Sequence, residues 1–193
     1  MSPRVDGRRA ATALGQVATE VYRDGLSLAR TAGDSVAAVP TLYMFDHDPN
    51  RPYLGSIKCR PCRPGHDAHA AVRGLGLLPA ARRAESILIA WEAHSLAVHL
   101  REPDEAPVGV VAVHADADGG YTTMQVSLEP RSIDGDTSCC GDYLFDGTTV
   151  RIPKAVAQAI TMWTDMRGCG DADDIAHELG KAGYGVASNP SKP

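Results

Sequence analysis

The stretch Ile57-Lys58-Cys59-Arg60-Pro61-Cys62-Arg63-Pro64-Gly65-His66-Asp67-Ala68-His69 brings two thiols, two imidazoles and three cations into thirteen residues. Three kinds of chemistry fit those residue types. Cys59, Cys62, His66 and His69 offer the two thiolates and two imidazoles of a tetrahedral structural zinc site, with zinc as the cofactor that this reading implies. Only three residues separate Cys62 from His66, however, whereas structural sites usually draw their ligand pairs from separated elements. Without a metal, the cysteines serve as small apolar residues, the histidines flank a helix, and no cofactor is needed.

Anion binding is the reading that the residues favour. Lys58, Arg60, Arg63 and His66 lie at or just before the start of an expected helix, where free backbone N–H groups and the helix dipole attract negative charge. Arginine forks add bidentate reach toward a carboxylate or phosphate. The competing explanation is that the same arginines form ordinary surface ion pairs within the chain.

A third possibility is thiol redox chemistry. Cys59-Arg60-Pro61-Cys62 resembles the Cys-x-Pro-Cys site of the thioredoxin family, and Val39-Pro40-Thr41-Leu42-Tyr43-Met44-Phe45 resembles the proline-led strand facing that site. The resemblance implies a redox-active cysteine pair in electropositive surroundings. The order is reversed, because the family's proline-led strand follows the cysteine pair, and Pro64-Gly65 stands where the family's helix runs.

Weaker constellations occur elsewhere. Asp46-His47-Asp48 offers oxygen and imidazole ligands, but turns favour Asp for backbone reasons alone. Asp116-Ala117-Asp118-Gly119-Gly120 and Asp134-Gly135-Asp136 lack the alternating ligands and closing Glu of a calcium loop. Glu92, His94 and Ser95 are adjacent in sequence without forming a convergent triad.

The elements that must position these groups follow from periodicity. Ala10, Leu14, Val17, Val21 and Leu28 mark an amphipathic helix over about 8–32. Residues 39–45 and 53–59 read as a hairpin with a long loop, and 67–85 as helix broken near Gly74, Gly76 and Pro79. Ser86 to Trp91 is a strand buried on both faces, and Ser95 to Leu100 reads as its hairpin partner. Residues 108–115 and 121–128 form a second hairpin, and 148–152 a short strand. Pro153 is expected as the first residue of a helix carrying Val156, Ile160 and Trp163; Asp171 caps another that stops at Gly183. Residues 188–193 are expected to fray.

This order predicts an α+β fold, a mostly antiparallel meander sheet with amphipathic helices layered on one face. All 193 residues are expected in a single domain: helix at 8–32, α+β core at 36–152, C-terminal helices at 153–183 and the frayed tail. With aromatics at 5%, aliphatic side chains must build the core.

Charge narrows the partners. From Arg51 to Arg83 seven cations face one anion, so the other 160 residues carry −11 of a chain whose net charge is −5. That acidic remainder disfavours general nucleic-acid binding. No apolar run suits a signal sequence or a membrane span, and five cysteines make a poor disulfide framework, so a cytoplasmic protein is expected. The functional expectation is a soluble intracellular binding or accessory protein whose basic loop 58–69 engages a small anionic ligand or an acidic protein surface. The alternative is a metal- or thiol-dependent enzyme using Cys59 and Cys62.

Overall fold

Strand β3, Ser86–Glu92, lies inside the sheet, because its run of Ile87, Leu88, Ile89, Ala90 and Trp91 leaves no polar face for solvent. In the computed structural model, which describes residues 39–46, 53–102, 110–118, 121–126 and 151–188, this strand pairs with β1, Thr41–Phe45, and with β4, Val110–Asp116. Strand β2, Tyr53–Lys58, continues from β1, and β5, Tyr121–Val126, continues from β4. A short strand β6, Gly185–Ser188, adds to β2, giving the order β5-β4-β3-β1-β2-β6 with every neighbouring pair antiparallel.

The fold is α+β with an antiparallel sheet, as expected. Its order departs from a plain meander in two places: β3 returns to the free edge of β1, and β6 closes the outer edge of β2. Because side chains alternate across a strand, Leu42, Met44, Ile57, Ile87, Ile89, Trp91, Val111 and Val113 point one way. They form one cluster with Ala68, Ala71, Val72, Leu75, Leu78, Val156, Ala159 and Trp163 from the helices. The intervening Leu88, Ala90 and Ala112 are as deeply buried, at 0%, 3% and 3% exposure, so the centre of the sheet is dry on both faces.

Helices α1, His66–Gly74, and α2, Leu77–Ala81, replace the long helix at the expected break. The cause is Gly76. A Cβ there would lie 2.2 Å from the Ala159 carbonyl oxygen, so this glycine lets α4, Lys154–Asp165, approach backbone to backbone. Pro153 occupies the N-cap of α4 rather than its first turn. Asp171 does cap α5, Ala172–Lys181, its Oδ1 accepting the amides of Asp173 at 2.9 Å and Asp174 at 3.1 Å. Gly183, at φ 92°, ends it in the left-handed conformation expected of a stop residue.

Two further expectations are overturned. Ser95 to Leu100 is not a strand but part of helix α3, Ala93–Leu100. Glu92 caps it, its carboxylate accepting the amides of His94 at 3.1 Å and Ser95 at 2.6 Å. Ala93, Leu96, Ala97 and Leu100 carry a helical period and are buried, whereas Val98, which a strand would place beside Leu96 and Leu100, is 53% exposed. The strands from Ser86 onward are therefore antiparallel neighbours, but a helix rather than a tight hairpin follows β3. Nor is Ser188 part of a frayed tail: it pairs with Gly55, and its Oγ accepts from Arg82 at 2.7 Å.

The chain divides into two units, Met1–Ala38 and Val39–Pro193, and every described residue belongs to the second. The expected helix at 8–32, the loop residues His47, Asp48, Asp134 and Asp136, and the vicinal Cys139 and Cys140 lie outside the described residues, as does most of the strand expected at 148–152. Among the described residues no helix is long and apolar enough to cross a membrane.

Candidate functional site

The basic stretch leaves β2 at Lys58 and enters α1 at His66, so it is a loop held between a sheet strand and a helix. Three backbone and side-chain anchors hold it. The Cys59 amide donates to the Pro40 carbonyl at 2.8 Å, continuing the β1–β2 pairing for one further residue. The Gly65 amide donates to the His99 carbonyl at 2.7 Å, and the His69 ring donates through Nε2 to the Leu100 carbonyl at 3.1 Å. These two bonds satisfy carbonyls at the C-terminal end of α3, which a helix otherwise leaves without partners. Gly65 sits at φ 96°, a backbone conformation that a residue with a side chain adopts only with strain, and the Arg101 side chain lies over it, its Nε 3.5 Å from where a Cβ would be.

Charge within the loop is partly neutralised from inside. The Arg60 guanidinium pairs with Asp67 Oδ1 and also donates to the Pro61 carbonyl at 3.0 Å. Asp67 Oδ2 accepts the Arg63 amide at 2.8 Å. The Arg60 hydrogen bond, followed by that amide, holds the Asp67 carboxyl below the usual carboxylate range. Asp67 thus supplies, from within the loop, the counter-charge for Arg60. The Ala68 amide is taken as well, donating to the Arg63 carbonyl at 3.1 Å.

The four expected zinc ligands are described, and they do not gather. Cys59 is 6% exposed within the apolar cluster, Cys62 packs half-buried against it, His66 is exposed, and the His69 Nε2 is committed to a carbonyl. Among the described residues no group of three or more His, Cys, Asp or Glu side chains is placed to hold a metal ion.

Burial, with a smaller contribution from Cys62, pushes the Cys59 thiol up to about 12, outweighing the nearby Arg60. Burial and then Asp67 raise Cys62. A reactive thiol needs the opposite, a pKa drawn down so that the thiolate forms near neutral pH. Burial therefore cancels the electropositive character that the sequence advertises around this pair.

Of the anion-binding candidates, Arg60 is committed to Asp67, whereas Lys58, Arg63 and His66 are exposed. Neither Lys58 nor Arg63 has a carboxylate partner among the described residues. Three contributors escaped the sequence reading: Asp67 as counter-ion, Arg101 lying over Gly65, and Tyr184, whose buried hydroxyl donates to the Ala71 carbonyl at 2.8 Å. Asp67 was legible as the lone anion of the basic stretch; nothing local marked the other two. Compared with protein-family models, curated proteins and solved structures, the chain matches none.

Proposed function

We propose that this is a binding or accessory protein whose loop 58–69 engages an anionic group, carried by a small ligand or by an acidic protein surface. The observation that supports this most is the division of labour between two arginines. Arg60, paired with Asp67, fixes the loop; Arg63, its backbone pinned by the same carboxylate, is exposed, as are Lys58 and His66 of the same stretch. A positive group held on a rigid backbone loses little freedom on meeting an anion, so less of the interaction is spent on ordering. The alternative, an enzyme built on Cys59 and Cys62, gains no support from a thiol pushed to about 12.

The test is thermal unfolding in sulfate, phosphate or a short poly-glutamate peptide against chloride at matched ionic strength. A ligand that binds only the folded state stabilises it by mass action, so at least one of these anions raises the melting temperature above the chloride value. Replacing Lys58 and Arg63 together with Ala removes that difference. The reading fails where no anion separates from chloride, or where the double variant keeps the full effect. Sulfate or phosphate acting alone identifies a small ligand, and the peptide acting alone an acidic surface.

A further inference from the structure

Helix α5 has a sequence suited to burial but little of it achieved. Of its ten residues only Leu179 is buried, while Ile175 and Ala176 stay half-exposed. Between α5 and half-buried Leu77 of α2 lies an open groove of about 270 Å³, floored by Leu77, Ile175 and Leu179 and bordered by Asp174 and Glu178. That volume falls just below the range of about 300–1,000 Å³ typical of small-molecule sites, and suits one inserted side chain.

The rim says what must flank that side chain. Asp174 and Glu178 stand one helical turn apart, an arrangement of like charges that disfavours the helix. Dipole complementation accounts for Asp173 and Asp174 in the first turn, but not for Glu178 towards the C-terminal end, where a carboxylate is unfavourable. Among the described residues Glu178 pairs with one cation, Lys181 at 2.8 Å, and no cation lines the groove. Asp174 has no ion pair among the described residues.

We propose that this groove docks a basic segment of a partner protein, one aliphatic side chain filling the space between Leu77, Ile175 and Leu179 while flanking Lys or Arg residues meet Asp174 and Glu178. It is opposite in charge to loop 58–69 and independent of what that loop binds. The sequence flags the surface only as the amphipathic, acid-started helix after Asp171.

The probe is the peptide acetyl-Arg-Arg-Leu-Arg-Arg-amide, titrated at low salt into the isotopically labelled full-length chain and followed by amide chemical shifts. Saturating shifts centred on Leu77, Ile175 and Leu179 are expected. Changing the peptide's leucine to alanine weakens binding by about 10-fold, because burial of the aliphatic group is lost. The double variant Asp174→Asn with Glu178→Gln, which keeps side-chain size, weakens it comparably and removes its salt dependence. No shift at millimolar peptide, shifts centred elsewhere, or binding indifferent to the leucine overturns the proposal. So does broadening of the same resonances with protein concentration alone, which places a second copy in the groove.

Discussion

The chain carries its two charge extremes on elements of opposite character. Loop 58–69 with α1 is basic and deeply anchored: Cys59, Ala68, Ala71 and Val72 are all buried, and its strongest charge pair is internal. Helix α5 is acidic and shallow, buried only at Leu179, and is held by its own cap and one Glu178–Lys181 pair. The difference lies in neighbours rather than in local propensity. Helix α1 lies against both α3 and α4, whereas the main neighbours of α5 among the described elements are the five-residue α2 and the four-residue edge strand β6. Opening free energies should follow the same gradient, because local stability tracks buried apolar contact.

Thiol accessibility tests this contrast with the largest expected effect. Cys59 sits at the root of the basic loop, and Cys169 is exposed in the turn before α5. Against an ordinary value of 9.0, a thiol pushed to about 12 holds roughly a thousand-fold less thiolate at pH 8. Timed alkylation of the folded protein, read peptide by peptide by mass spectrometry, should modify Cys169 early and Cys59 only as the protein unfolds. Comparable rates would erase the distinction between anchored and shallow regions. Because its pKa is raised, Cys59 also contributes stability that is complete below the ordinary thiol range and is lost as pH rises towards 12.

Core truncation comes next. Trp163 is fully buried, and its indole Nε1 donates to the Ala84 carbonyl at 3.3 Å. Trp163→Ala should cost about 3–5 kcal/mol in chemical denaturation, through the cavity and the unpaired carbonyl together. Ile175→Ala, on the half-exposed face of α5, should cost about 1 kcal/mol, since much of that side chain already meets water. Equal losses would mean that α5 is as integral to the core as α4.

Sequence signals reached those elements whose cause is local. The runs of β1 to β5, the break at Gly76 and the Asp171 cap were all visible because turn chemistry, period and capping act within a few residues. Residues 95–100 failed because Leu96, Val98 and Leu100 alternate like a strand while Ala93, Leu96, Ala97 and Leu100 repeat like a helix. The Glu92 cap and the exposure of Val98 decide between them. Strand β6 has one half-buried aliphatic residue, Val186, and forms because the edge of β2 and the Arg82 side chain receive it. At the loop, residue types were legible and their states were not. Burial of Cys59 depends on the sheet and helices around it, and the His69 bond to Leu100 joins residues thirty-one apart.

A smaller effect separates local from global opening at α5. Asp171→Ala leaves the amides of Asp173 and Asp174 without their acceptor, at a cost of about 1 kcal/mol to the helix. Because α5 is shallow, much of that loss should appear as local fraying. Hydrogen exchange should quicken across Ala172–Lys181 and at β6, which α5 contacts, while α1 and β3 keep their protection. Uniform acceleration over the whole sheet would show that α5 opens only with the core, and the contrast with loop 58–69 would weaken accordingly.

The smallest effect is expected at Asp67, where charge inside the basic loop is balanced. Arg60 and then the Arg63 amide lower its pKa, so the folded state prefers the ionised carboxylate more than the unfolded chain does. The resulting stabilisation is present above the ordinary carboxylate range, near about pH 4, and fades as acid carries the protein down through the lower folded value. Asp67→Asn keeps an oxygen that can accept the Arg63 amide but cannot neutralise Arg60. At pH 7 the variant should therefore be slightly less stable in urea, and the two curves should converge towards pH 2. A gap that is constant with pH would assign Asp67 a role through shape alone. The same variant sharpens the reading of the loop, because Arg60 joins Arg63 and Lys58 as an uncommitted cation. Phosphate or sulfate should then raise its melting temperature by more than that of the original chain, even though its stability in chloride is lower. A smaller anion response would mean that Asp67 is needed to shape the loop, and that fixing the Arg63 backbone matters more than freeing a second guanidinium.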